Sequence, residues 1–510
     1  MATANDFKLT SQSESPHTSR DFNKIRIGKT TLSNDVFFDL DYYKKDRARR
    51  RPFVRADIMR ALAEQDIFTL RAVSQAYFNM NGIYMRLCRY MAYLYKYDWT
   101  ITPIIYDETI KPEKVIEGWY KASNLLDNCH LRKNFGEIAL KVVRNGCYYG
   151  YRVEQKDAAY LQELPVNYCR SRYKQNGKPI VEFNIKYFDD RFSDVDYRIR
   201  VLKLFPIEFR KAYLSYKRGT LKKDFNGDDN GWFVLDPDRT VKFNLSNTDI
   251  PLFVAVIPKL MDLEDAQDLD KKRMEQQLLR LVIQEMPLDK NGESIFDIPE
   301  IQAFHNNAVE MVGDSIGISV LTTLADVKVE DLSDNGNMSS ADQLDKVERT
   351  VYNEAGVSQK QFNTDGNIAL EKSIANDEAT MTDLLLQFEE YVQTLLKPFN
   401  KNEKRLKYKA SMLPTTIYNY KDLSKIYKEQ TQIGFSKLLP QVALGQSQST
   451  VMATAYFENE LLHLEDLFVP PQMSSTMSGK SGDSGSEGGR PELPDDQKSE
   501  KTIANRESAS

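Results

Sequence analysis

The longest stretch of helical hydrophobic spacing in this chain lies in its C-terminal third. Leu370, Ile374, Met381, Leu385, Phe388, Val392, Leu395 and Phe399 fall at steps of three, four or seven, the stripe of a helix that buries one side. Nothing interrupts the pattern before Pro398. Residues 368–397 as one helix would span about 45 Å at 1.5 Å per residue, well beyond an average helix of three turns. A rod of this length carries architecture more readily than a catalytic pocket. A shorter helix precedes it: Ser340 and Gln343 fit a capping box, Leu344, Val347 and Val351 form its apolar face, and Gly356 suits a left-handed closing residue. Between the two helices, residues 357–367 form a loop that is polar apart from Val357 and Phe362.

Upstream, residues 56–97 read as helical, with Ile58, Leu62 and Ile67 starting the pattern and Tyr84, Leu87, Met91 and Leu94 continuing it after Gly82. Residues 98–106 read as a strand. Helices follow at 112–126 and 132–144, closed by a turn at Asn145 and Gly146. Residues 148–245 read as β-rich, because Val181, Phe183, Ile185 and Tyr187 alternate with Glu182, Asn184 and Lys186. Residues 198–205 read as a further strand. Asn226 with Gly227, and Pro237 with Asp238, read as hairpin turns around 232–235. After Pro258, Asp262, Glu264, Asp265 and Asp268 open a helix whose later part carries Lys271, Lys272 and Arg273, the signs that a helix dipole favours. A short segment with Pro287 and the turn Asn291–Gly292 separates it from a second helix that Pro299 opens and that runs to about Val312. Residues 316–329 read as one or two strands. These elements together predict an α+β protein.

At 510 residues with 41% hydrophobic composition, the chain has material for two to four domains with real cores. Its net charge of −5, from 69 basic and 74 acidic residues, gives no wholesale attraction to nucleic acid or anionic lipid. Cys88, Cys129, Cys147 and Cys169 show neither disulfide nor zinc spacing, which points to a reducing compartment. The first residues lack a signal-peptide pattern, and the longest apolar stretch, 252–257, is too short for a bilayer, so the expectation is a soluble cytosolic chain without a membrane partner. Residues 1–55 form a polar arm ending in a basic run, Lys44, Lys45, Arg47, Arg49, Arg50, Arg51 and Arg55, read either as a phosphate- or partner-binding arm or as a solvated face. From Pro470 onward Ser, Gly, Pro and charge dominate, which predicts a disordered tail at 470–510.

Several apparent chemical motifs fail on inspection. Gly28-Lys29-Thr30 and Gly479-Lys480-Ser481 end like a phosphate-binding loop, but Asn23 and Ser474 stand where its first glycine belongs. His17, His130, His305 and His463 have no partner at metal-ligand spacing. Tyr84, Arg86, Arg89, Tyr90, Tyr93, Tyr95 and Lys96 could stack bases beside cations, yet their spacing favours aromatics packed inward with cations outside. Asp224, Asp228 and Asp229 lack calcium-loop spacing and read as a turn. No catalytic residue, metal or cofactor is indicated.

The order of elements over residues 58–468 resembles the portal protein of tailed bacteriophages. Met91 to Pro103, a tyrosine-rich helix running into Asp98, Trp99 and a strand, resembles the opening of a portal wing. Asn145 to Glu154 and Leu164 to Arg172 resemble its sheet. The resemblance implies a wing at 56–257, paired stem helices at 258–281 and 299–312, and a small β clip at 282–298. It further implies a return to the wing at 313–400 with a tunnel loop at 357–367 and the long helix at 368–397, and a helical crown at 401–469 built on Leu423, Ile426, Ile433, Val451, Ala455, Leu461 and Leu464. A portal is a ring, usually of twelve copies, at one capsid vertex of the virion, assembled in the host cytoplasm. Double-stranded DNA passes through it during packaging and ejection, and it docks the major capsid protein, the terminase and a head-tail adaptor.

On this resemblance Gln359, Lys360, Gln361, Phe362, Asn363, Thr364 and Asp365 would line the DNA channel, and Glu285, Met286, Pro287, Asp289, Lys290 and Asn291 would dock partners at the clip. A channel that DNA slides through should not grip phosphate strongly, because each neutralised phosphate adds affinity, and a mildly acidic chain suits that need. Read without the resemblance, 357–367 is a solvated connection between helices. The alternative function is a metal-dependent nucleic-acid-processing enzyme, which would need two or more carboxylates converging on one site.

Overall fold

The computed structural model describes residues 53–464 apart from 156, 176, 222–229, 279, 286, 288–294, 313–317, 324–339, 358–367 and 401–403. The chain opens with three helices, α1 (Arg55–Glu64), α2 (Ile67–Met80) and α3 (Gly82–Ala92). Side-chain caps divide them: Asp66 accepts from the amides of Phe68 and Thr69, and Asn81 accepts from that of Tyr84. Strand β1 (Trp99–Ile105) follows, then α4 (Pro112–Asn128) and α5 (Leu131–Asn145). Gly146 ends α5 with φ of 83°, and a Cβ there would overlap the Asp249 carbonyl, so only glycine fits.

Strands β2 (Cys147–Glu154), β3 (Ala159–Leu164), β4 (Cys169–Gln175) and β5 (Lys178–Asn184) lead into helices α6 (Tyr187–Arg191), α7 (Val195–Leu204) and α8 (Ile207–Lys217), then β6 (Trp232–Val234) and β7 (Thr240–Asn244). They make two antiparallel three-stranded sheets, ordered β3-β2-β7 and β4-β5-β6. Strand β2 is buried on both faces. Cys147, Tyr149 and Tyr151 enter a core shared with β5 and α6–α8, whereas Tyr148 enters the larger core, as the period-two geometry of a strand requires.

The remaining elements are α9 (Ile257–Leu278), β8 (Arg280–Glu285), α10 (Ile298–Val312), β9 (Ile318–Thr323), α11 (Ser340–Ala355), α12 (Ile368–Leu395), β10 (Leu406–Met412), α13 (Tyr420–Gln432), α14 (Leu439–Ala443) and α15 (Gln448–Tyr456). The larger core gathers α1–α5, the start of α9, the end of α11 and most of α12. The whole is an α+β protein. Two compact units divide it at Val451 and Met452, and the described part of the second carries the end of α15 and one π-helical turn at Phe457–Leu461.

The structure corrects several expectations. Residues 198–205 are not a strand but lie on α7 and its end, which the Asp194 side chain starts by accepting from the Asp196 amide. Pro237 and Asp238 make a turn but not a hairpin, because β6 pairs with β5 and β7 pairs with β2. Asn226 and Gly227 lie outside the described residues. The helix expected at 258–281 stops at Leu278, and β8 takes up Arg280 and Leu281.

The expected pairing of that helix with 299–312 is also replaced. Helix α9 packs along α11, while α10 packs on β9 as the crossover of a parallel β8–β9 pair running from Arg280↔Ile318 to Glu285↔Thr323. Parallel strands need such a crossover, which explains why the helix sits between them. Strand β10, within the stretch expected to be a helical crown, pairs antiparallel with β1 from Trp99↔Met412 to Ile105↔Leu406.

Candidate functional site

The residues expected to form the tunnel loop follow α11, whose C-terminal end is well held. Helix α11 buries Val351 and Tyr352, and Gly356 closes it with φ of 70°. The Val357 amide donates to the Tyr352 carbonyl at 3.1 Å, and the Val357 side chain is buried in the larger core. Gln359, Lys360, Gln361, Phe362, Asn363, Thr364 and Asp365 lie outside the described residues. The chain is described again as α12 begins at Ile368.

Helix α12 is fixed along its length by apolar and polar contacts on different faces. Met381, Leu384, Leu385, Phe388, Val392 and Leu395 are buried. The Phe388 ring stacks on Phe135 with centroids 4.3 Å apart and planes 4° from parallel, and it meets Phe243 and Tyr97 edge-on at 4.9 and 5.5 Å. The Tyr90 hydroxyl donates to Asp377 Oδ2 at 2.9 Å, and the Tyr95 hydroxyl donates to the Glu378 carbonyl at 3.1 Å. Glu378 Oε1 also accepts from Thr416 Oγ1 at 2.9 Å. Further along, Glu389 and Gln393 accept from the amides of Met412 and Ala410, each at 2.9 Å, so α12 holds the edge of β10. Gln387 does the same for β7, accepting from the Asn244 amide and donating to its carbonyl.

Tyr90 and Tyr95 are therefore part of this scaffold, and Tyr84 sits in the larger core. Tyr84 is fully buried, and burial raises the Tyr95 hydroxyl above its usual range, so it stays neutral and serves as a hydrogen-bonding anchor. The polar face of α12 was missed in the sequence, although Glu378, Thr382, Glu389 and Gln393 recur at steps of four, seven and four.

Beside this scaffold lies a buried charge cluster. Asp98, fully enclosed, accepts from Thr415 Oγ1 at 2.8 Å and lies 2.9 Å from Arg132 Nε and 3.8 Å from Lys96 Nζ. Arg132 also donates to the carbonyls of Gly445 and Gln446, and Lys96 to that of Ala443. Burial raises the Asp98 carboxyl above the ordinary range, and the Arg132 charge, Thr415 and Lys96 only partly offset it. The cluster ties β1 and α5 to the segment after β10.

Of the expected partner-docking residues, Glu285 ends β8, and exposed Pro287 accepts through its carbonyl from the Ile295 amide at 3.4 Å. Met286, Asp289, Lys290 and Asn291 lie outside the described residues, as do His17, the basic run through Arg51, and Asp224, Asp228 and Asp229. Arg55, the last cation of that run, forms an ion pair with Asp262 on α9. His130 precedes α5, His305 lies on α10, and His463 follows the π-helical turn. The four cysteines are buried free thiols, and burial pushes Cys147 up to about 11 and Cys88 up to about 12. Among the described residues no three His, Cys, Asp or Glu side chains come together as metal ligands, and no helix is long and apolar enough to cross a membrane. In comparison with known proteins, no family model matches the chain, and no curated protein gives a significant match.

Proposed function

We propose that the chain is the portal subunit of a tailed bacteriophage, a ring-forming channel and docking platform and not an enzyme. The observation that carries this reading is the order of elements from α9 to α12: helix, β-α-β excursion, helix packed back on the first, polar loop, and a 28-residue helix bolted into the core. In this reading α9 and α11 are the paired stem helices, and β8, α10 and β9 with the turn around Pro287 are the clip that meets terminase and adaptor. In this reading Gln359 to Asp365, the stretch between α11 and α12, contact the DNA. The anchors along α12 support the reading, since a loop that contacts a moving duplex needs a base that does not yield.

The test is native mass measurement of the purified chain, with end-on electron microscopy of the same sample. Rings of about a dozen copies around a channel wide enough for duplex DNA, some 20 Å across, are expected; the groove depths of B-form DNA set that scale. A chain that stays monomeric or dimeric across concentration and salt counts against it.

A further inference from the structure

Helix α8 has two distinct sides. Phe209, Ala212 and Tyr213 enter the core that it shares with β2 and β5. On the opposite side Ile207, Lys211, Leu214 and Arg218, the last at the C-cap, follow at steps of four, three and four, which keeps them within about 60° of one another around the axis. All four are exposed, Ile207 by 60% and Leu214 by 54%. Lys211 and Arg218 form no ion pair among the described residues. The neighbouring charges are engaged elsewhere. Lys217 is held by Asp189 at 2.8 Å, and Glu208 accepts from the Tyr151 hydroxyl at 2.8 Å and from the Asp236 amide at 3.1 Å.

Helix α13 carries the inverse pattern. Asp422, Ile426, Glu429 and Ile433, the last again at the C-cap, also follow at steps of four, three and four. No residue of this helix is buried, and Ile426 and Ile433 are exposed by 47% and 75%. Its other side rests on α14, where Ser424 Oγ donates to the Pro440 carbonyl at 3.1 Å. Glu429 forms no ion pair among the described residues. Asp422 meets Lys425 at 3.4 Å, in a pair whose side chains are 73% and 75% exposed, so it holds Asp422 weakly and leaves it open to a second cation.

Set antiparallel, the two stripes match position for position. Ile207 falls opposite Ile433, Lys211 opposite Glu429, Leu214 opposite Ile426 and Arg218 opposite Asp422. Both stripes run about 16 Å at 1.5 Å per residue, so all four pairs lie at equal heights. Exposed apolar side chains taken singly need no explanation; here spacing and sign agree between two separate helices. Both stripes are exposed within one chain, so they do not cover each other there. We propose that α8 of one copy docks antiparallel on α13 of a second copy. Such a contact joins two different surfaces, so each copy keeps a free stripe for the next, and the series closes into a ring or runs on as a filament. It stands on the two stripes and goes beyond the portal reading, within which it is one contact between neighbouring subunits.

The full-length wild type is compared with two variants, Lys211→Glu with Arg218→Glu and Asp422→Lys with Glu429→Lys, by native mass measurement and sedimentation over a range of concentrations, each first checked for unchanged circular dichroism. Wild type should self-associate, and each variant alone, with like charges facing, should do so more weakly by roughly a hundredfold. Mixed in equal amounts, the two variants present opposite charges at every contact and should recover wild-type association with the chains alternating. Oxidative cross-linking reads the register: Leu214→Cys with Ile426→Cys should give disulfide-linked multimers, whereas Leu214→Cys with Gln432→Cys, off the stripe, should not. The four native cysteines are buried and do not compete. A wild type that stays monomeric, variants that associate as wild type does, or a mixture that stays apart overturns the proposal. Rings that persist in both variants sink this contact and leave the portal reading, and filaments that depend on the stripes, without rings, do the reverse.

Discussion

At the scale of single residues, the stability of this protein turns on buried polar groups that are held from several sides. Asp98 is the clearest case. Its carboxylate sits out of water among Arg132, Lys96 and Thr415, and burial outweighs these partners, so its folded pKa lies above its unfolded one. The sign of the linkage follows. Between an unfolded carboxylate value of about 3.9 and the raised folded value, the native state binds more protons than the unfolded chain, so stability falls as pH rises and is level above. Asp98→Asn removes that slope. The stability difference between wild type and Asp98→Asn, from urea unfolding at a series of pH values, should therefore be most favourable to wild type at the acid end and shrink through the window. A difference that grows with pH would mean that the Arg132 pair dominates over burial. Arg132→Gln should cost about 2 kcal/mol at neutral pH, less than the 3–5 of a fully buried pair because Arg132 is about one-third exposed.

At the scale of elements, α12 organises the larger core, and Phe388 is its hub, with rings from α5, β7 and the segment before β1 around it. Phe388→Ala should cost about 3–5 kcal/mol, whereas Leu386→Ala, on the exposed side of the same helix, should stay within about 0.5 kcal/mol. Equal losses in chemical denaturation would mean that the helix face is assigned wrongly. This element was legible because its stripe is local: 28 residues of one period suffice to read it. Helix α7 was not, because Arg198, Ile199, Arg200 and Val201 alternate like the start of a strand within a β-branched and apolar run, and the one local signal, Asp194 as N-cap, is weaker than that alternation. Strand β10 was missed for the opposite reason. Tyr408, Ala410 and Met412 are buried at period two, but its partner β1 lies some 300 residues away, and sequence spacing carries no trace of that pairing. Arg152 on β2, Lys178 on β5 and Lys242 on β7, which line one cleft, come together only in the fold.

At the scale of the whole molecule, two cores share β2, and one long helix links the expected loop to both the early and late parts of the chain. The helices on either side of 358–367 have anchors of their own among the described residues: Val357 is pinned at the end of α11, and α12 is held from Ile374 onward. Replacing Gln359 to Asp365 with a Gly-Ser linker of the same length should thus leave folding and ring assembly unchanged, since a flexible linker of equal length alters loop-closure entropy little. If the loop contacts DNA, the same variant should fail to package. The measurement is paired: native mass for the ring, and nuclease-protected DNA in particles from an infected or reconstituted system. Intact rings with normal packaging would remove the loop from the channel. Lost rings with an unchanged circular dichroism spectrum and unfolding midpoint would show that its side chains bind neighbouring subunits.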